Sequence, residues 1–265
     1  MAKLTDRLQE LGKASPGPLG FGRARVQKRT PAMLVIGEVN ADAAAEVMAR
    51  PGSEKVDAVI VRLGDSARLP DGLGETLTDM LWGAAVTSAR GDDMDALHKA
   101  GCDFFLVESL QAPAVVLRED DMARGFTVRL GITEEEARPL EDLPIDLLTL
   151  QSDPAWWPLT VERLIQLQST VSMVSKHILL KVSACPPKAD LPLIRDLPVE
   201  ALVVDLAAIS DEQLSEIRSA VDELPPRKPR AEKGMSPVLP RAGNQFRAEE
   251  HEHEEDDDQD DGEDE

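Results

Sequence analysis

The chain has 265 residues, of which 42% are hydrophobic and 3% aromatic, with no tyrosine and a formal net charge of -21. That length fits one α/β barrel or two small domains, and the core has to be built from Leu, Val, Ile, Ala and Met. No apolar run is long enough to cross a bilayer and the start lacks the pattern of a secretory leader, so a cytoplasmic protein is expected.

In chain order, Leu4–Leu11 has a short helical pattern and is followed by SPGPLGFGRARVQKRTP, a basic strap too rich in Gly and Pro to be a core element. Residues 1–30 thus form a lead-in that covers the lower end of the folded domain. A first strand is predicted over Met33–Val39. Asn40 or Asp42 caps the next helix, ADAAAEVMAR, which stops at Pro51-Gly52. The second strand is Asp57–Leu63, a weak helical pattern covers Leu73–Met80, and the third strand is Leu81–Thr87. A helix over Asp92–Ala100 ends at Gly101 and leads to the fourth strand, Cys102–Glu108. The rhythm then breaks, because SLQAPAVVLREDDMARG carries a short β-like run, Ala114–Leu117, where a helix belongs. An irregular or shortened connection is expected there. The alternation resumes with strand Phe126–Leu130, helix Glu134–Leu140, strand Ile145–Leu150, helix Thr160–Ser175, strand Ile178–Val182, helix Ala189–Asp196 and strand Ala201–Asp205. A last helix, Asp211–Glu223, starts from Ser210 with Gln213 three residues on, a capping-box pattern.

Eight strands alternating with helices over residues 31–224 favour an α/β (β/α)8 TIM barrel that is irregular around the fourth unit. No GxGxxG follows any strand, which removes the usual sign of an open dinucleotide-binding sheet. Residues 225–248 are a Pro- and Arg-rich linker. From Glu249 onward thirteen acidic residues form a tail, residues 249–265, that cannot bury apolar surface and is expected to be disordered. Without those thirteen the net charge is -8, ordinary for a soluble domain. The acidic balance disfavours direct nucleic-acid binding, although the tail is suited to a basic protein partner or to the chain's own basic linker.

Four segments share one design: VDAVIVR (Val56–Arg62), CDFFLVE (Cys102–Glu108), IDLLTLQ (Ile145–Gln151) and VEALVVD (Val199–Asp205). In each, an acid is followed by a short apolar run and then, five positions on, by a polar residue. The apolar runs suit strands buried on both faces of a parallel sheet. As the even-numbered strands of a barrel they bring Arg62, Glu108, Gln151 and Asp205 to one interior level near the carboxyl ends. The odd strands add Glu38, Arg129 and Lys181 at comparable depth, with Thr87 on the third. Glu38, Glu108 and Asp205 against Arg62, Arg129 and Lys181 is an electrically balanced set, as burial requires.

Two functions fit this cluster. In the first it is an active site at the carboxyl face. Lys181 is then a general base or Schiff-base amine, Glu108 and Asp205 move protons, and Arg62 and Arg129 hold a substrate carboxylate, with Glu38 and Gln151 lining the pocket. That describes a metal-independent lyase or isomerase for a small carbonyl or carboxylate compound, with no cofactor. In the second the charges merely pair and fill the mouth of a silent barrel, which acts as an interaction module through its tail. Trp156 and Trp157, in SDPAWWP after the sixth strand, either stack on a ligand at the mouth or seal their loop. The turns VSACPPKAD and DLAAISDEQ lack glycine, which disfavours the usual phosphate-holding turn. No metal site is expected: His98 lies in a helix, His177 at the opposite end, and His251 and His253 in the tail. Cys102 and Cys185 fall at opposite ends of the barrel, so no disulfide is expected, and Cys185 has no histidine near it to make it a nucleophile.

Over about Met33–Leu224 the strand-helix rhythm resembles the aldolase-type barrel superfamily at the level of fold. The strand order with the APAVVL insertion after the fourth strand is similar to uncharacterised bacterial barrel proteins. The resemblance implies a closed barrel with its working face at the carboxyl ends of the strands. The missing fourth helix and the glycine-free turns depart from flavin- and phosphosugar-binding members.

Overall fold

A computed structural model describes residues 2–11, 31–65 and 67–226. The strap after Leu11, the linker beyond Pro226 and the acidic tail lie outside the described residues. Eight parallel strands close into a barrel in the order β1 to β8. They are β1 Leu34–Asn40, β2 Ala58–Gly64, β3 Trp82–Val86, β4 Phe104–Val107, β5 Ala123–Arg129, β6 Leu147–Gln151, β7 His177–Val182 and β8 Val199–Asp205. The helices are α1 Lys3–Glu10, α2 Ala41–Met48, α3 Leu73–Thr76, α4 Gly91–Lys99, α5 Glu134–Asp142, α6 Val161–Ser172, α7 Leu191–Arg195 and α8 Asp211–Glu223. The chain is a (β/α)8 TIM barrel.

Because both faces of every strand are buried, the apolar side chains divide between two cores. Leu34, Ile36, Ile60, Phe104, Leu106, Leu147, Leu179 and Val203 fill the interior, whereas Val59, Val61, Phe105, Leu148, Leu180 and Val204 pack outward against the helices. Interior volume is shared unevenly. At Gly83 an added Cβ would stand 2.5 Å from the Phe104 ring, and at Gly125 one would stand 2.3 Å from Leu106 Cδ2. These two glycines give Phe104 and Leu106 the space that keeps the interior closely packed without aromatics elsewhere.

The lower end is closed by α1. Leu4 and Leu8, one turn apart on one face of the helix, are buried in the interior core. Full burial of two leucines contributes roughly 2 kcal/mol each. No side chain of the helix itself caps its start. Instead the Lys3 and Leu4 amides donate to the Asp103 carboxylate at 2.8 and 2.9 Å. Asp103 is the acid of the second repeat, and its counterparts anchor the same end. Asp57 accepts from the Val35 amide at 2.8 Å and from Arg218 at 2.7 Å, Asp146 accepts from the Arg124 amide at 2.9 Å, and Glu200 meets His177 Nδ1 at 2.6 Å.

Several predicted elements differ in detail. Ala114–Arg118 is a 3-10 turn in place of a helix between β4 and β5, so the irregular connection is there but the run is not β. β5 begins three residues early, at Ala123, because Ala123 and Arg124 continue the ladder against Phe104 and Phe105. α3 is a single turn over Leu73–Thr76 in place of Leu73–Met80. α7 covers five residues. Among the described residues no helix is long and apolar enough to cross a membrane.

Candidate functional site

In a barrel of this type each hydrogen-bonded step to the next strand shifts the level by one residue, so residues of equal height come from alternate strands. Arg62 pairs with Ala85 and Ala85 with Leu106, and two residues further is Glu108. Gln151 pairs with Lys181 and Lys181 with Val203, and two further is Asp205. Asp205 in turn pairs with Glu38, and Glu38 with Ile60, two before Arg62. The register therefore sets Arg62, Glu108, Gln151 and Asp205 at one level. The level beneath holds Glu38, Ala85, Thr127 and Lys181 by the same count.

Four side chains from these two levels make contact. Lys181 Nζ lies 2.6 Å from Glu38 Oε1 and 4.0 Å from Glu108 Oε1. Arg62 Nε stands 3.6 Å from Glu38 Oε1, and its Nη2 donates to Glu108 Oε2 at 3.4 Å. Two anions and two cations interleave, so the cluster is neutral. The side chains of Glu38, Glu108, Lys181 and Arg62 are 6%, 13%, 17% and 42% exposed. Burial pushes the Glu38 carboxyl above the ordinary carboxylate range. The Lys181 ammonium and its hydrogen bond, and then Arg62, pull it back only in part, and Glu108 adds to the rise.

Arg62 and Glu108 also line a cavity of about 730 Å³ over β1 to β3, whose wall includes Asn40, Arg68, Asp71 and Thr87. Its volume is in the range of small-molecule sites. Lys181 and Glu38 are not part of this wall and reach it only through their contacts with Arg62 and Glu108. Thr87 is engaged with Asp65, to which its hydroxyl donates at 2.5 Å.

The remaining candidates stand apart from the cluster. Arg129 is exposed at the end of β5. The prediction set it one rung too low: Thr127 occupies the level of Lys181. Gln151 is exposed at the rim. Asp205 is exposed as well, and its carboxylate accepts from the Ala207 amide at 2.9 Å, fixing its own turn. Trp156 does not overhang the mouth as a ligand platform would. It is 2% exposed within the outer core, with the Arg163 guanidinium 6.0 Å over its ring and donating to its carbonyl at 2.7 Å. Trp157 seals the rim, its Nε1 donating to the Ala184 carbonyl at 3.0 Å and so tying the loop after β6 to the loop after β7.

The prediction missed Arg68, which reaches the cavity from an irregular loop with no periodicity to reveal it. It also missed Thr149, whose buried hydroxyl has no hydrogen-bond partner. Counting two back from Gln151 would have placed Thr149 inside. Both cysteines are free. Burial pushes the Cys102 thiol up to about 12, and burial followed by Glu216 raises that of Cys185. Neither is activated as a nucleophile. Among the described residues no group of three His, Cys, Asp or Glu side chains is arranged to hold a metal ion.

The fold and the mouth together define a TIM-barrel protein with a charged, cavity-lined carboxyl face. No protein-family model and no curated protein matches the sequence. Solved structures do. A tryptophan synthase alpha-subunit variant from Pyrococcus furiosus aligns at 11% identity and a TM-score of 0.53, covering 73% of this chain and 98% of its own. N-(5'-phosphoribosyl)anthranilate isomerase from the same organism aligns at 12% identity and a TM-score of 0.52, covering 72% of this chain and all of its own. At such identities the similarity is one of fold.

Proposed function

We propose that the mouth is the active site of an isomerase or lyase acting on a small compound that carries a carboxylate and a carbonyl group. The observation that carries this is the 2.6 Å contact between Lys181 Nζ and buried Glu38, one contact from an arginine on the cavity wall. In this reading Arg62 holds the carboxylate. Glu38, held above the usual carboxylate range by burial, is a fitting acceptor for the Lys181 proton. The freed amine then abstracts a proton next to the carbonyl, or attacks the carbonyl carbon to form a Schiff base as the oxygen leaves as water. The abstracted proton is then held on Lys181 Nζ and goes back to the substrate from there, with Glu108, 4.0 Å from Nζ, as its relay. The position of the cluster at the carboxyl face agrees with where barrel enzymes work. The two structural neighbours add only fold-level analogy.

The test is solvent-deuterium exchange followed by proton NMR over a panel of 2-oxo acids and their enol-forming relatives, with borohydride trapping in parallel. Exchange by the native protein that disappears in Lys181→Met and falls at least tenfold in Arg62→Gln supports the assignment. If no compound exchanges and no adduct forms on Lys181, the proposal fails and the charges serve only to fill the mouth.

A further inference from the structure

Resting on that reading of the mouth, we infer that Thr149 is the hydrogen-bond donor to the substrate's carbonyl oxygen, from a position one level beneath Lys181. The register supplies the placement. Thr149 pairs with Thr127 on β5 and with Leu179 on β7, and Lys181 is two residues beyond Leu179. Because each step to the next strand shifts the level by one residue, Thr149 stands just below Thr127 on one side and just below Lys181 on the other. The other members of its level, two residues before Arg62, Glu108 and Asp205, are Ile60, Leu106 and Val203, all in the interior core. Thr149 alone brings a polar side chain to that layer.

Its hydroxyl has no hydrogen-bond partner, and the residue is 1% exposed. Valine fills nearly the same volume, so packing gives no reason for the hydroxyl, and an unmet buried hydroxyl costs stability. Such a group marks a place where a structural rule is broken for function. In the closed ring β6 lies across the axis from β2, which carries Arg62. A compound whose carboxylate is on Arg62 therefore spans the axis with its carbonyl oxygen toward β6. Lys181 has Glu38 to one side of it, two strands on, and Thr149 on the adjoining strand to the other. The hydroxyl is closed to solvent, so the oxygen reaches it as Lys181 turns aside. Once the ammonium has given its proton to Glu38, the ion pair is gone and the flexible stem is free to move. When Lys181 Nζ takes the proton next to the carbonyl, the electrons of the broken C–H bond form a carbon–carbon double bond. The carbonyl π pair moves onto oxygen, to which Thr149 Oγ1 donates while keeping its own proton. That hydrogen bond is stronger to the developing enolate than to the neutral ketone, so Thr149 acts on rate more than on binding.

The experiment measures solvent-deuterium exchange by the full chain as wild type, Thr149→Val and Thr149→Ser, on 2-oxo acids from pyruvate to 2-oxoglutarate. The member that wild type exchanges fastest is taken through a concentration series, and each variant is unfolded in urea. Thr149→Val is expected to lower the maximal exchange rate at least about tenfold, with the half-saturating concentration changed by less than about threefold. Thr149→Ser, which keeps the hydroxyl, should stay within about threefold of wild type. The unfolding midpoint of Thr149→Val should not fall. Activity lost together with stability, or a serine variant as slow as the valine one, overturns the inference. A valine variant that exchanges at the wild-type rate also overturns it and leaves the proposed activity standing. If wild type exchanges none of these acids, the proposed activity fails and the inference with it.

Discussion

Replacing Lys181 with methionine tests the electrostatics of the mouth directly, because it removes one of two cations from a neutral cluster of four. Glu38 loses its 2.6 Å partner and Glu108 a contact at 4.0 Å. What remains for Glu38 is Arg62 at 3.6 Å, a group that is 42% exposed. Breaking a fully buried pair costs about 3–5 kcal/mol, and the remaining Arg62 together with the partial exposure of the site brings the expectation to about 2–3 kcal/mol at pH 7. The pH dependence separates this from a packing effect. Glu38 has a folded pKa above its unfolded value, so its folded form binds the proton more tightly. Its contribution to stability is present below the unfolded pKa and is lost as pH rises through the folded pKa. Without Lys181 that rise is steeper, so Lys181→Met should come closest to the native protein in acid and fall furthest behind at neutral pH. Glu38→Gln placed on top should restore part of the loss at pH 7. Urea unfolding at several pH values between 4.5 and 8, with wild type, both singles and the double variant, measures all four quantities. A loss independent of pH, or a double variant no more stable than Lys181→Met, would refute the proposed coupling.

Three further outcomes concern the packing. Asp103→Ala leaves the Lys3 and Leu4 amides without their acceptor and is expected to cost about 1–2 kcal/mol, with faster amide hydrogen exchange confined first to α1. Gly83→Ala drives a methyl to within 2.5 Å of both the Phe104 ring and its backbone oxygen, so it should cost at least about 2 kcal/mol in chemical denaturation; an unchanged midpoint would contradict the packing. Thr149→Val removes a buried hydroxyl without a partner at nearly constant volume and is expected to be neutral or to stabilise by about 1 kcal/mol. A loss greater than about 1 kcal/mol there would show that the hydroxyl is satisfied, for example by an internal water.

The barrel was legible because burial on both faces leaves a strong mark: four apolar runs of similar length, each bounded by polar residues. The same repeat carried the level shared by Arg62, Glu108, Gln151 and Asp205, since a period of two leaves little freedom in which side chains share a face. Arg129 was misplaced for a definite reason. β5 starts at Ala123, three residues before its apolar run, so counting from the run put Arg129 at the height that Thr127 holds. Trp156 shows another limit, because a loop tryptophan next to a mouth can turn inward as readily as over it. Arg163 on α6 fixes the choice through contacts that no local pattern announces. The cavity wall was equally hidden, since Arg68 and Asp71 belong to an irregular loop whose course depends on tertiary packing.

The repeat also explains why one end of the barrel holds the fold and the other is free to meet a ligand. Its acid and its terminal polar residue are five positions apart, an odd number, so along a strand they fall on opposite faces. Asp57 accordingly turns outward to Arg218 on α8, while Arg62 turns inward to Glu38. Asp146 likewise reaches Arg124, which alternates with the interior residues Ala123 and Gly125, while Gln151 ends on the interior parity. The acids are committed to strand starts, to helix ends and to one another's neighbours at the base, where they stabilise the closed ring. The terminal residues project toward the axis above the last apolar layer, where no further strand remains to satisfy them. Asp205 meets the Ala207 amide of its own turn, whereas Arg62 and Glu108 find their partners in the charged cluster. Arg62 and Glu108 meet across the intervening strand at 3.4 Å, a long contact that leaves the guanidinium 42% exposed to the cavity. In the proposed reaction a ligand carboxylate binds Arg62 without first breaking a tight ion pair, whereas Lys181 at 2.6 Å from Glu38 stays positioned beneath it.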